Sequence, residues 1–244
     1  RNRVVDFWRA LAILMVVCGH WLAVTIWVKP DGSTDLLNSL ERVPYSSWLT
    51  WLFQVMPVFF FVGGFSNAVG WRSARRRGSS YGEWFDARTR RLLGPVLPLV
   101  LMWAAMVAVA HCNGVGPGMI RIGSQVALVP VWFLAVYLLV VALVPLTHAA
   151  WERWGMASVA APVAAAAAVD LAFFAGGLHG LGWVNYLFIW VTVHQLGYAW
   201  LDGRIHGPRL GLGWLVIGLA ALVGLTHLGP YPLSLVGVPS DEIS

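Results

Sequence analysis

Apolar residues along this chain fall into long blocks rather than into the alternation of half-buried strands. Seven blocks stand out, at about 7–28, 48–70, 92–111, 126–147, 157–176, 184–201 and 210–228. Each approaches the roughly 20 residues that a helix needs to cross a hydrocarbon core of about 30 Å. The pattern predicts an all-α fold: a polytopic transmembrane helical bundle with about seven spans. The first block is not a secretory leader. It is longer than a leader's apolar core, carries Asp6 and Arg9, and lacks a small-residue cleavage site.

The polar positions between the blocks set an orientation, because the flanks of membrane helices that face the cytosol collect Lys and Arg. With the N-terminus inside, thirteen basic residues fall on inner segments: Arg1, Arg3, Arg9, Arg72, Arg75, Arg76, Arg77, Arg88, Arg90, Arg91, Arg153, Arg204 and Arg209. Only Lys29, Arg42 and Arg121 fall outside. The segment 29–47 and the final "GPYPLSLVGVPSDEIS" are then outer. The inner loop 71–91, "WRSARRRGSSYGEWFDARTRR", holds the densest charge. It reads either as a topology anchor that meets anionic headgroups or as a cytosolic site for an anionic ligand.

Composition supports the membrane reading. Hydrophobic residues make up 59% and charged residues 11% of the chain, and mean hydropathy is +0.71, whereas soluble domains carry about 25% charged residues. The net charge of +5 is spent on topology and does not signal nucleic acid. Two separate cysteines, Cys18 and Cys112, make neither a disulfide framework nor a metal cluster. The scarcity of lysine beside arginine fits a GC-rich bacterial genome, and the bacterial plasma membrane is the expected location. The chain opens without Met and ends without a closing element, so it reads as a piece of a longer protein. The expectation is one transmembrane domain over 1–244, cut at both ends.

Ionisable groups inside spans usually face the bundle interior or a water-filled cavity. Arg9 and His20 in "RALAILMVVCGH" are eleven residues apart. At about 100° per residue they lie within about 20° of each other on one helix face, about 16 Å apart along the axis. Asp6 is spaced to pair with Arg9. His20 is then either a neutral histidine bonded to a neighbouring helix or a proton acceptor. Asp170 and His194, with Gln195 beside it, are expected at similar depth, and sequence does not say whether they meet. His111, Asn113, His179 and His227 are expected to be solvated at outer ends, and His148 and His206 to meet headgroups at inner ends. Glycines 63, 64 and 70 read as close packing or unwound ends.

Four stretches together resemble the integral-membrane acyltransferase family 3. They are the Arg–ten residues–His spacing of Arg9 to His20, "FFFVGG" from Phe59 to Gly64, "RTRR" from Arg88 to Arg91, and "WFL" from Trp132 to Leu134. The family's second pattern has Ser-Gly where this chain has Gly63-Gly64, so a covalent serine route is closed at that position. The resemblance implies about ten helices in the whole protein. It also implies transfer of an acyl group, acetyl in the first instance, from acyl-CoA on the cytosolic side to a hydroxyl of a carbohydrate, glycolipid or similar acceptor. On that reading His20 is the general base and Arg9 its catalytic companion, and Arg88, Arg91, Trp132, Asp170 and His194 bind substrate. No metal and no bound cofactor are expected; acyl-CoA is a substrate. The competing expectation is a proton-coupled transporter or flippase of a sugar or lipid-linked substrate. That rival would also use a deep histidine and Asp170, but has no specific need of Arg88 and Arg91.

Overall fold

A computed structural model describes residues 3–28, 34–38, 47–128, 131–205 and 207–233 of the chain. Among them the secondary structure is helical apart from one two-stranded hairpin. The expected positions of Lys29, Arg42 and His206, and of the terminal residues 234–244, lie outside the described residues. The chain divides into two compact units, Arg1–Gly63 with Asp202–Ser244, and Gly64–Leu201.

The first unit begins with α1, Arg3–Ala23. The sequence predicts that this helix runs on to residue 28. It stops at Ala23, and Val24–Val28 instead forms β1, paired antiparallel with β2, Thr34–Asn38, in the register Ile26↔Leu36. The run "VTIWV" explains the change. Four of its five residues are β-branched, and branching at Cβ restricts χ1 in a helix and suits a pleated strand. Helix α2, Ser47–Phe53, packs on α1, where Gly19 lies against the Phe53 ring. Helix α3, Met56–Arg76, starts in this unit and continues into the second. The unit also holds the last helix, which is introduced below, and Trp51 Nε1 donates to the Leu233 carbonyl at 2.8 Å.

The second unit takes α3 from Gly64 onward. A tight turn then leads into α4, Tyr81–Leu93. Gly78 in that turn has φ of +73°, a conformation that costs a glycine little and other residues much. Ser80 and Glu83 cap α4 reciprocally: the Ser80 hydroxyl accepts from the Glu83 amide, and the Glu83 carboxylate accepts from the Ser80 amide. Helix α5, Val96–Cys112, is joined to the short α6, Pro117–Leu128, by a bond from Trp103 Nε1 to Ser124 Oγ at 3.0 Å.

Next come α7, Trp132–Ala142, and α8, Val144–Trp154, which meet at 53°. The bend has a local cause. Pro145, in the first turn of α8, has no N–H to give, and its ring crowds the carbonyl four residues back. Helix α9, Ala157–Phe174, a 3₁₀ turn at His179–Val184 and α10, Asn185–Leu201, close the unit. Helix α10 packs along α9 and also touches α7 and α8. The last helix, α11, Pro208–His227, belongs to the first unit.

Among the described residues, four helical stretches are long and apolar enough to cross a membrane: Leu49–Arg76, Tyr81–Cys112, Ala157–Phe174 and Pro208–His227. The bent pair α7–α8 makes a fifth if it counts as one span. Of the seven expected spans, the fourth is the one reshaped most. Its early part falls in α6, and its later part is broken at Leu143. The apolar windows of Tyr81–Cys112 and Pro208–His227 have none of their residues buried, as expected of helices whose solvent is lipid. The chain is a multi-pass membrane protein.

Candidate functional site

In the first unit, Val5 and Ala12 are the buried residues among the described side chains of α1. They are seven residues apart and therefore share one stripe of the helix. Arg9 and His20 lie about 40° to 80° round from that stripe, and both are exposed. The two residues thus share a face beside the packed stripe rather than within it.

The second unit holds the other five candidates. Arg88 and Arg91 come together on α4. With Arg77, Ser79 and Trp84 they line an open cleft of about 300 Å³ where the end of α3 turns into α4. Glu83, the capping residue, supplies the one carboxylate among the lining residues. Gly70 of α3 forms the floor: a methyl group there would come within 3.6 Å of Arg88 Nη2 and 3.5 Å of Trp84 Nε1. Trp84 is itself locked in an aromatic cluster with Trp71, Tyr81 and Phe85. Two forked guanidiniums from one helix face, with a third across the turn, suit a phosphate or carboxylate. Arg90 points its charge elsewhere, to Asp86 one turn back at 2.8 Å.

His194 is fully buried in α10, and its partner is Asn67 of α3, with 3.0 Å between Asn67 Nδ2 and His194 Nε2. Asn67 Nδ2 also donates to the Tyr137 hydroxyl of α7 at 3.2 Å. One turn before Asn67, the backbone of Gly64 presses on the His194 carbonyl oxygen so closely that any Cβ at position 64 would overlap it. The glycine of "FFFVGG" is therefore a packing device. It lets α3 approach α10, and the approach puts Asn67 within reach of the imidazole. Gly63 is buried in the same helix.

Below this pair the polar interior continues. The Thr147 hydroxyl and the buried Tyr198 hydroxyl lie 2.9 Å apart, and Gln195 Nε2 donates to the Thr147 carbonyl at 3.4 Å. His148 corrects an expectation. It does not meet headgroups but is fully buried, and its Nε2 accepts from Arg72 Nε at 2.9 Å. Glu152 approaches the other ring nitrogen at 3.6 Å and also pairs with Arg75 at 3.0 Å. A helix-spaced His–Glu pair, four residues apart in "THAAWERW", was the available signal for this arrangement.

The remaining two candidates sit apart from His194. Asp170 of α9 accepts from Asn185 Nδ2 at 2.5 Å. Asn185 opens α10, nine residues before His194, which is roughly 14 Å of helix. Trp132, at the start of α7, is half exposed and stands edge-on to Tyr186, which stacks on Trp183. His111, Asn113, His179 and His227 are exposed. Among the described residues no group of three or more His, Cys, Asp or Glu side chains could hold a metal ion.

The profile of a family described as "Acyltransferase domain" matches residues 2–237, nearly the whole chain. The protein is a member of acyltransferase family 3. No match was found among curated proteins or among solved structures. Membership makes the chain a membrane acyltransferase, with an acyl donor and a hydroxyl acceptor as its substrates. The "RTRR" pattern of this acyltransferase falls on α4, where its two outer arginines share the cleft wall. The "FFFVGG" pattern falls on α3 and ends at the contact with His194. Asn67 and Tyr137 were not singled out from the sequence as members of any site, and Arg77 entered only as one of the charges of the loop 71–91. Asn67 could have been: it is a carboxamide inside an apolar span, where a polar group needs a partner.

Proposed function

We propose that this membrane O-acyltransferase takes its acyl group from an acyl-CoA, acetyl-CoA in the first instance, on the cytosolic side. It delivers that group to a hydroxyl of a carbohydrate or similar acceptor. The observation that carries the reading is the cleft lined by Arg77, Arg88 and Arg91 in a chain of this family. CoA is a polyanion with a planar base. The cleft offers three guanidiniums for phosphates and the Trp84 ring system beside them. The excess of basic residues in the segment 71–91 supports a cytosolic position for the cleft.

In this account Arg88 and Arg91 hold the donor's phosphates. His20 is the general base that takes the acceptor's hydroxyl proton as the oxygen attacks the thioester carbonyl, and Arg9, about 16 Å along the same helix face, supplies positive charge at the cytosolic end for the anionic donor. The attacking oxygen forms the ester bond, the carbon–sulfur bond breaks, and CoA leaves as the thiolate that receives the proton. Gly63 supports direct transfer, because it offers no hydroxyl to carry the acyl group. Trp132, Asp170 and His194 complete the set of substrate contacts in the proposal.

CoA binding tests the donor assignment. Calorimetry on the protein in lipid nanodiscs is expected to show CoA binding that weakens about tenfold or more in Arg88→Ala and in Arg91→Ala. Undetectable CoA binding in the unaltered protein would remove acyl-CoA as donor. Solute flux that follows a proton gradient, without thioester consumption, would favour the transporter reading instead.

A further inference from the structure

Two helix stripes of the second unit form the cleft. Gly70, Ala74 and Arg77 run along and off the end of α3, and Trp84, Arg88 and Arg91 run along α4. Both sets follow the spacing i, i+4, i+7 of a single helix face. The α3 stripe is small at Gly70 and Ala74, so the side chains of α4 face open space there.

Two donors converge at Gly70. From the point where its Cβ would stand, Trp84 Nε1 is 3.5 Å away and Arg88 Nη2 is 3.6 Å away, the nearest atoms that α4 presents. The indole therefore turns its N–H edge, not its face, to the cleft floor. Trp84 is only 7% exposed, and the Trp71 ring packs against it at 5.3 Å. Among the described residues its Nε1 has no hydrogen-bond partner. A buried tryptophan N–H usually finds an acceptor. The Glu83 carboxylate of the cleft is already engaged, accepting from the Ser80 amide at 2.8 Å.

An acceptor that enters here meets the indole N–H together with three guanidiniums, a set that selects an oxyanion of high charge. A phosphate monoester brings three free oxygens and about 1.5–2 negative charges. A diphosphate within a chain exposes fewer free oxygens at each phosphorus. The volume of about 300 Å³ is at the small end of ligand pockets, which span roughly 300–1,000 Å³. It suits one end of a coenzyme rather than the whole. CoA carries one phosphate monoester, at the 3′ position of its ribose.

We propose that the cleft seats the 3′-phosphate of the donor, with Trp84 as a specificity-determining residue that donates its indole N–H to a phosphate oxygen and Gly70 as the gap that admits that oxygen. This rests on the acyl-CoA donor proposed above and names the part of the donor that the cleft recognises. A methyl at position 70 would meet Trp84 and Arg88 at ordinary contact distance, so the fold accepts it. It would stand where the phosphate oxygen binds. Alanine at 70 thus separates the two roles of the site: it keeps stability and loses affinity.

The test is calorimetry on the full-length protein in lipid nanodiscs, with CoA and with dephospho-CoA, which lacks the 3′-phosphate. Wild type is expected to bind CoA about a hundredfold more tightly than dephospho-CoA. Trp84→Phe, which keeps the ring and removes the N–H, is expected to weaken CoA about tenfold and leave dephospho-CoA unchanged. Gly70→Ala is expected to melt at or above the wild-type temperature and to show the same selective loss, which keeps the test sharp if Trp84→Phe folds poorly. Equal wild-type affinity for the two ligands, equal losses for both in folded Trp84→Phe, or unchanged CoA affinity in Gly70→Ala would each overturn the seat while leaving acyl-CoA as donor. Wild type that binds neither ligand would overturn the acyl-CoA donor, and the seat with it.

Discussion

Gly64→Ala is a sharp test of how the second unit is built. An added methyl at position 64 would overlap the His194 carbonyl oxygen and also crowd the carbonyl carbon and Cα of that residue. Those atoms are helix backbone, so no rotamer change relieves the clash. The two helices must separate by roughly 1–2 Å, and overpacking of this kind costs about 1–3 kcal/mol. The separation also stretches the Asn67–His194 bond at 3.0 Å one turn away, which adds about 1 kcal/mol. The sum is about 2–4 kcal/mol, equivalent to a fall of roughly 4–16 °C in the melting temperature of a chain this size. Tryptophan-fluorescence melting of the purified protein in detergent reads this directly. Gly213→Ala in α11, where nothing lies within 4 Å of an added methyl, is the control. It should melt at or above the wild-type temperature, since alanine is the better helix former. A Gly64→Ala protein that melts within 1 °C of wild type, by the same scale, would refute the close α3–α10 contact.

Other outcomes follow from the same structure. Arg72→Ala removes the donor to a fully buried His148 ring nitrogen and should destabilise by about 1–3 kcal/mol in the same melting assay. Glu152→Gln breaks the pair with Arg75, whose two side chains are 54% and 46% exposed; it should change stability by less than about 1 kcal/mol, and less still in high salt. Arg88→Ala and Arg91→Ala should each raise KM for the acyl-CoA donor about tenfold, with a salt dependence shallower than wild type, because fewer charge contacts remain to be screened.

The helical character of the chain was legible because apolar blocks of span length leave few alternatives in a bilayer. Where the block pattern failed, a local feature had overridden it. At Val24–Val28 the β-branched run favours a strand, and at Pro145 a missing N–H breaks a block that hydropathy alone reads as continuous. The pairing of Arg88 with Arg91 was visible as a three-residue spacing on one helix face. The third arginine of the cleft, Arg77, was legible only as one charge of the loop 71–91, because its place beside Arg88 and Arg91 depends on how tightly the Gly78 turn folds α4 back. His194 was visible as a deep polar group, but its partner was assigned to no one. Depth estimates brought it level with Asp170, whereas the packing of α9 on α10 gives Asp170 to Asn185. Helix-to-helix pairing is decided by contacts such as that at Gly64, and a single sequence carries no coordinate for them.

The most direct test of the proposed chemistry is transfer of radiolabelled acetyl from acetyl-CoA to a cell-envelope extract by the full-length protein in lipid vesicles. Wild-type protein is expected to release one free CoA for each acetyl ester formed, with transfer lost in His20→Ala and lowered about tenfold at donor concentrations below KM in Arg88→Ala, in proteins that fold as judged by melting. Full transfer by folded His20→Ala would contradict the role of that histidine, and no ester from wild type with acetyl-CoA or longer acyl-CoA donors would contradict the proposed reaction.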